Sequence, residues 1–187
     1  MRMQIIKYKG IKILVGLFVG FFLSLNVSAQ KIALKTNALE WATATSNISA
    51  EFAFGKKMSG ELSVLYNPFT FSGNKKISGI AFQPEIKYWF CIPFYKHYIG
   101  IHPFFSDYNV GWTKYRYQGQ LYGCGLSYGY QMILSKRLNL EFTLGVGYAR
   151  MDHDRYERYR CGLFLDSLTG NYFGLTKLGI SIVYFIK

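Results

Sequence analysis

From residue 31 onward the chain alternates between bulky apolar residues and small or polar ones, with the clearest stretch at Ile80 to Phe90. There Ile80, Phe82, Ile86, Tyr88 and Phe90 fall on one face, while Gln83, Glu85 and Lys87 fall on the other. A period of two residues is the signature of a β-strand with two different faces, and a helix would not produce it. The same reading predicts strands near 31–40, 48–55, 60–67, 80–90, 98–111, 121–134, 140–152 and 173–187.

The connections between these eight segments alternate in length. Short links are expected at Gly55–Ser59, Cys91–His97 and Ser135–Asn139, and longer ones at 41–47, 68–79, 112–120 and 153–172. Turns on one side and loops on the other are the asymmetry of an outer-membrane barrel, with both termini on the turn side.

Facing separates a membrane barrel from a soluble one. Leu140, Phe142, Leu144, Val146 and Tyr148 oppose Glu141, Thr143, Gly145, Gly147 and Ala149; Tyr122, Leu126, Tyr128, Tyr130 and Met132 oppose Gly123, Gly125, Ser127, Gly129 and Gln131. Bulky apolar residues suit lipid, and small or polar ones suit a narrow lumen. A soluble cup would have the reverse polarity. The expected fold is therefore all-β, an eight-stranded antiparallel up-and-down transmembrane barrel.

The first thirty residues change the picture by supplying an address. Arg2, Lys7, Lys9 and Lys12 precede an apolar run from Ile13 to Leu25, and Val27-Ser28-Ala29 follows. This order is that of a secretory signal peptide, expected to cover 1–29 and leave 30–187 as the barrel domain. The run is shorter than the ~20 residues a spanning helix needs. Phe, Trp and Tyr make up 19% of the chain. Trp41, Tyr66, Phe69, Phe71, Tyr108, Trp112, Tyr122, Tyr148 and Tyr172 are expected toward the outer rim, and Phe54, Tyr98 and Tyr184 toward the inner one. Belts of this kind mark the two interfaces of a bilayer.

The formal charge of +12 falls to roughly +8 once the leader is removed. In an exported protein that points to lipopolysaccharide phosphates and acidic surface glycans as partners, and away from nucleic acid. Cys91, Cys124 and Cys161 fit neither a disulfide framework nor a zinc site.

A resemblance supports the same reading. It is carried by Ala33-Leu34-Lys35-Thr36-Asn37, Asn67-Pro68-Phe69-Thr70-Phe71, Gln83-Pro84-Glu85 through Tyr88-Trp89, and Tyr108-Asn109-Val110-Gly111. It continues through Arg116-Tyr117-Gln118-Gly119, Leu121-Tyr122-Gly123, Gly125-Leu126-Ser127-Tyr128-Gly129-Tyr130, Gly145-Val146-Gly147-Tyr148-Ala149-Arg150 and Asn171-Tyr172-Phe173-Gly174. In this order and spacing the segments resemble a domain-of-unknown-function family of short outer-membrane barrels from Bacteroides-type bacteria. The resemblance implies the barrel fold, the outer-membrane address and encoding near minor-fimbria genes, and it carries no catalytic residues. Many members have a paired cysteine motif in the fourth loop, where this chain has Cys161 alone.

Three groups of residues carry candidate chemistry. Lys35, Glu51, Glu61, Glu85, Lys87, Glu141 and Lys177 all fall on the inward face and are expected to form an ion-pair network filling the lumen. Lys35 and Glu51 are expected to pair across the first hairpin. Lys114 and Arg116 in the third loop, with Arg155, Arg158 and Arg160 in the fourth, are expected to meet an anionic partner, because guanidinium groups match phosphate bidentately. Asp152-His153-Asp154 would hold an imidazole between two carboxylates, although no G-x-S-x-G or H-E-x-x-H pattern accompanies it. The sequence names no metal set, no cofactor and no catalytic residue. The expectation is a non-enzymatic barrel displaying loops to lipopolysaccharide or a surface partner, fimbrial ones included. A barrel enzyme of acyltransferase or protease type, or a narrow channel, is the alternative.

Overall fold

In the computed structural model, which describes residues 32–71, 75–111, 115–157 and 163–186, the alternating segments pair into a closed ring. The strands are β1 (Ile32–Asn37), β2 (Ser46–Ala53), β3 (Met58–Asn67), β4 (Thr70–Phe71), β5 (Lys75–Trp89), β6 (Lys96–Gly111), β7 (Tyr115–Ile133), β8 (Leu138–Glu157) and β9 (Phe164–Phe185). Each pairs antiparallel with its chain neighbour, β9 returns to β1, and β3 pairs directly with β5, so eight strands run up and down around the ring. The two-residue β4 extends the β3–β5 hairpin, with Thr70 opposite Lys76. The expected leader, residues 1–29, lies outside the described residues, as do Trp112, Lys114, Arg158, Arg160 and Cys161.

Large apolar side chains point out of the ring on every long strand. Leu34, Ile48, Leu62, Ile86, Ile101, Leu126, Leu144 and Ile182 are all exposed. Their alternate neighbours are polar or small and buried: Lys35, Ser63, Lys87, His102, Ser127 and Thr143. The polarity is that of a water-soluble protein turned inside out, as the sequence pattern requires.

Three of the four connections expected to be long loops are largely strand. β5 begins at Lys75, β7 begins at Tyr115, and β8 and β9 together occupy most of 153–172. Beyond the apolar band the outward positions are themselves polar, Gln118, Gln120, Asp152 and Asp154, so the apolar alternation stops although their backbone ladders persist. The fourth connection holds a short helix, α1 (Ala38–Ala42). It starts at Asn37, whose side-chain oxygen accepts from the Leu39 backbone N–H at 3.1 Å, an ordinary N-cap.

Two irregularities shape the interior. Between β8 and β9 the register shifts at Gly145/Val146, where Gly145 faces Lys177 and Val146 faces Leu175. Thr176 is the extra residue, and a bulge of this kind re-aims its neighbours. At the inner end, Phe94 adopts φ 66° in the β5–β6 turn. That conformation costs about 1–2 kcal/mol for a non-glycine residue. The cost is offset by burying the ring against Trp89 (5.9 Å between centroids) and Phe185 (5.1 Å).

Candidate functional site

The ring brings all seven predicted lumenal ions together. The Lys87 ammonium stands 2.6 Å from Glu61, 2.9 Å from Glu141 and 3.3 Å from Glu51. Lys35 reaches Glu141 at 2.5 Å and Glu61 at 3.0 Å, and also pairs with Glu51. Lys177 lies 2.7 Å from Glu85 and 3.1 Å from Glu61. Lys35 and Glu51 are diagonal neighbours rather than directly opposed, since the register sets Lys35 against Ser49 and Ala33 against Glu51. Charges this deeply buried persist only when each is compensated by partners and hydrogen bonds.

Neutral groups supply the remaining bonds. Ser59 donates to Glu51 at 2.5 Å, Ser63 to Glu61 at 3.0 Å and Ser127 to Glu85. Tyr98 donates to Glu141 at 2.8 Å, and the Lys87 ammonium stands 4.4 Å from the centre of the same ring. The indole N–H of Trp89 donates to Ser59 at 2.8 Å. Trp89, Phe94, Tyr98, Val183 and Ala33 form the buried apolar cluster at the inner end, directly beneath the ions. Tyr98 was expected in the inner aromatic belt. Its side chain instead points into the lumen and is wholly buried, because it shares the inward parity of Gly100 and His102 on β6. Trp89 escaped the sequence reading because the face it shares with Lys87 and Glu85 otherwise reads as polar.

Toward the outer end the inward residues shrink or become apolar, and space opens. A cavity of about 420 Å³ is lined by Leu65, Ala81, Phe104, Leu121 and Met151, with Gln83, Lys177 and Glu40 among its polar groups. Glu40 comes from α1, which Asn37 ties to β9: its amide nitrogen donates to the Leu178 carbonyl at 3.1 Å, and its oxygen accepts from the Ile180 N–H at 3.1 Å. One step further along each strand lies a vestibule of about 900 Å³, lined by Asn67, Gly79, Tyr108, Gly119, His153 and Leu168 among others.

The Asp152-His153-Asp154 triplet does not enclose an imidazole. It lies on β8, where successive side chains point to opposite faces. Asp152 accepts from Tyr122 at 3.1 Å and from Arg150 at 3.3 Å, and Asp154 accepts from Ser167 at 2.6 Å. His153 instead packs among the rings of Tyr117 and Tyr108. Desolvation is the largest single influence and pushes the Asp152 carboxyl up, but hydrogen bonds from Tyr122, Thr169 and Arg150, with the Arg150 charge, together outweigh it and hold the group below the usual carboxylate range. Among the described residues no cluster of His, Cys, Asp and Glu is arranged to hold a metal ion.

Of the basic residues expected to meet an anionic partner, Arg116 and Arg155 stand on strands rather than in loops. Arg155 makes a two-pronged contact with Asp166 at 2.8 and 2.9 Å and lies over the Tyr115 ring. Arg116 lies 5.2 Å from the centre of the Tyr156 ring. The hairpins continue through this height, so both side chains are engaged across strands. Arg150, on the outward face of β8 beside Asp152, Tyr122 and Tyr148, is more open, at 51% exposed.

Comparison with curated proteins and with solved structures finds no match. A family model does match, over residues 14–186, under the description "Protein of unknown function (DUF3575)". That span takes in every described strand and the whole lumen, and the chain belongs to the DUF3575 family.

Proposed function

We propose that this chain is a non-enzymatic integral outer-membrane β-barrel that holds its outer hairpins up to lipopolysaccharide or a surface partner. The observation that carries the reading is the girdle of exposed apolar residues around a closed ring that buries Lys35, Glu51, Glu61, Glu85, Lys87 and Glu141 inside. A spanning strand needs ~9–11 residues. β7, β8 and β9 have 19, 20 and 22, and the surplus projects on the side away from the short turns. Arg150, Tyr122 and Tyr148 sit where that surplus begins, a position that suits phosphate and headgroup contacts. A fimbrial partner rests on the family resemblance alone. The channel alternative is opposed by the Trp89, Phe94 and Tyr98 plug beneath the ion pairs. The enzyme alternative is opposed by the opposite facing of His153 and its two neighbouring carboxylates.

Two measurements test this together. Folded protein in detergent should migrate differently on a gel before and after boiling. On intact cells a membrane-impermeant thiol reagent should modify Cys161 and leave Cys91, in the inner β5–β6 turn, untouched until the membrane is opened. Labelling of Cys91 alone would invert the topology, and release of the protein by salt washing would remove it from the membrane altogether.

A further inference from the structure

We propose that the 420 Å³ chamber of the upper lumen is a binding site for a small amphipathic amine, with its apolar body among the chamber's hydrophobic side chains and its ammonium on Glu40 and Gln83. The volume lies within the usual ~300–1,000 Å³ range of small-molecule sites, as does the mixture of apolar walls and a few polar groups. The walls are Leu65, Phe104, Leu121 and Met151, one from each of four strands.

Charge selects the head group. Among the described residues of the ion-pair network and the chamber are five carboxylates, Glu40, Glu51, Glu61, Glu85 and Glu141, against three ammonium groups, Lys35, Lys87 and Lys177. The three lysines make their ion pairs with the four deeper acids; Lys177 also borders the chamber and acts on Glu40 through space, but its ammonium is bonded to Glu61 and Glu85. Among the described residues Glu40 has no ion-pair partner, and its carboxylate receives only the Asn37 amide at 2.9 Å. Gln83 supplies an independent sign of an intended ligand. It is 9% exposed, lines the chamber and makes no side-chain hydrogen bond among the described residues. Buried amides ordinarily find partners, and the amide oxygen can accept a second hydrogen from an ammonium already held by a carboxylate. A carboxylate ligand would add to the acid excess, and a neutral alcohol would leave Glu40 without a direct ion-pair contact.

Access follows from the topology. The chamber and vestibule are consecutive on the inward face, two residues apart on each wall, with Leu65 followed by Asn67, Ala81 by Gly79, Leu121 by Gly119 and Met151 by His153, whereas the ion pairs and the plug close the opposite end. The outer mouth is therefore the entrance.

The test is a methyl-labelled methionine titration of the whole mature protein in lipid nanodiscs with 2-phenylethylamine, 3-phenylpropanoate and 2-phenylethanol. Met151 lines the chamber, and the exposed Met58 and Met132 report partition into the surrounding lipid. The amine should shift the Met151 methyl saturably without a parallel shift of Met58 and Met132. Glu40→Gln should weaken that response roughly tenfold, equivalent to about 1.4 kcal/mol. Leu121→Trp, which fills the chamber, should abolish it. The proposal is overturned by no saturable shift at Met151, by equal binding of the carboxylate, or by an unchanged affinity in Glu40→Gln. Each of these outcomes is read on protein already inserted in lipid, so it leaves the membrane reading standing, whereas failure to insert would strike that reading first.

Discussion

Tyr98 donates its phenolic hydrogen to Glu141 across 2.8 Å, joining the apolar plug to the ion-pair network above it. The same hydroxyl lies 2.8 Å from Thr143, and Glu141 also receives Lys87. One aromatic side chain thus closes the lumen sterically and satisfies a buried carboxylate. Tyr98→Phe keeps the ring and removes the bond, so it should destabilise the barrel by about 1–3 kcal/mol, the cost of leaving a buried acceptor short of a donor. Urea unfolding from lipid vesicles checks this, and a variant as stable as the parent would sever the plug from the network.

The part of this site that was legible in the sequence is the part written in alternation. Lys35, Glu51, Glu61, Glu85, Lys87, Glu141 and Lys177 share inward parity, and parity alone places them on one face of a closed sheet. Heights along the ring are not written that way. They depend on inter-strand register and on the Gly145/Val146 bulge, which sets Lys177 beside Glu85. Tyr98 reads as an interface aromatic, and Trp89 carries no signal of its own, because parity distinguishes the two faces but not the lumen's contents. The outer hairpins were missed because a strand whose outward residues are polar carries no apolar signature. The chamber was missed too, since Glu40 reaches it through α1, a helix of five residues with no periodicity to read.

Lys35 and Glu51 should couple strongly but not exclusively. Removing Lys35 alone leaves Glu51 with Lys87 at 3.3 Å and Ser59 at 2.5 Å, and removing Glu51 alone leaves Lys35 with Glu61 and Glu141. Lys35→Met should destabilise by about 3–5 kcal/mol, because it leaves four buried carboxylates on two cations. Adding Glu51→Gln should recover part of that loss. A double-mutant cycle with strictly additive losses would count against the pairing.

The Asp152 carboxyl should titrate below the ordinary value of ~3.9, since hydrogen bonds from Tyr122, Thr169 and Arg150 favour its charged form. A depressed folded-state value means that this contribution to stability is complete above the unfolded value and disappears as the pH falls through the folded one. Carbon-detected NMR of aspartate-labelled protein measures it directly. Tyr122→Phe should move the titration upward, and an unmoved midpoint would assign the shift to the other two donors.

Glycine at position 129 is required by the ring that faces it. A Cβ built there overlaps the Tyr98 ring, and that ring has nowhere to go, with Trp89 at 4.7 Å between centroids on one side and its hydroxyl tied to Glu141 at 2.8 Å. Gly129→Ala should therefore destabilise by about 1–3 kcal/mol, the usual cost of overpacking a filled interior. Gly55→Ala is the control, because its new methyl group would meet only Met58, at an ordinary 3.6 Å. It should change stability by less than about 1 kcal/mol. Combining Gly129→Ala with Tyr98→Leu decides the mechanism. If the methyl acts by displacing the ring, the double variant is more stable than the sum of the two single losses predicts, because removing the ring removes the overlap. Additive losses would mean that the glycine is needed for backbone approach between β6 and β7 rather than for the ring.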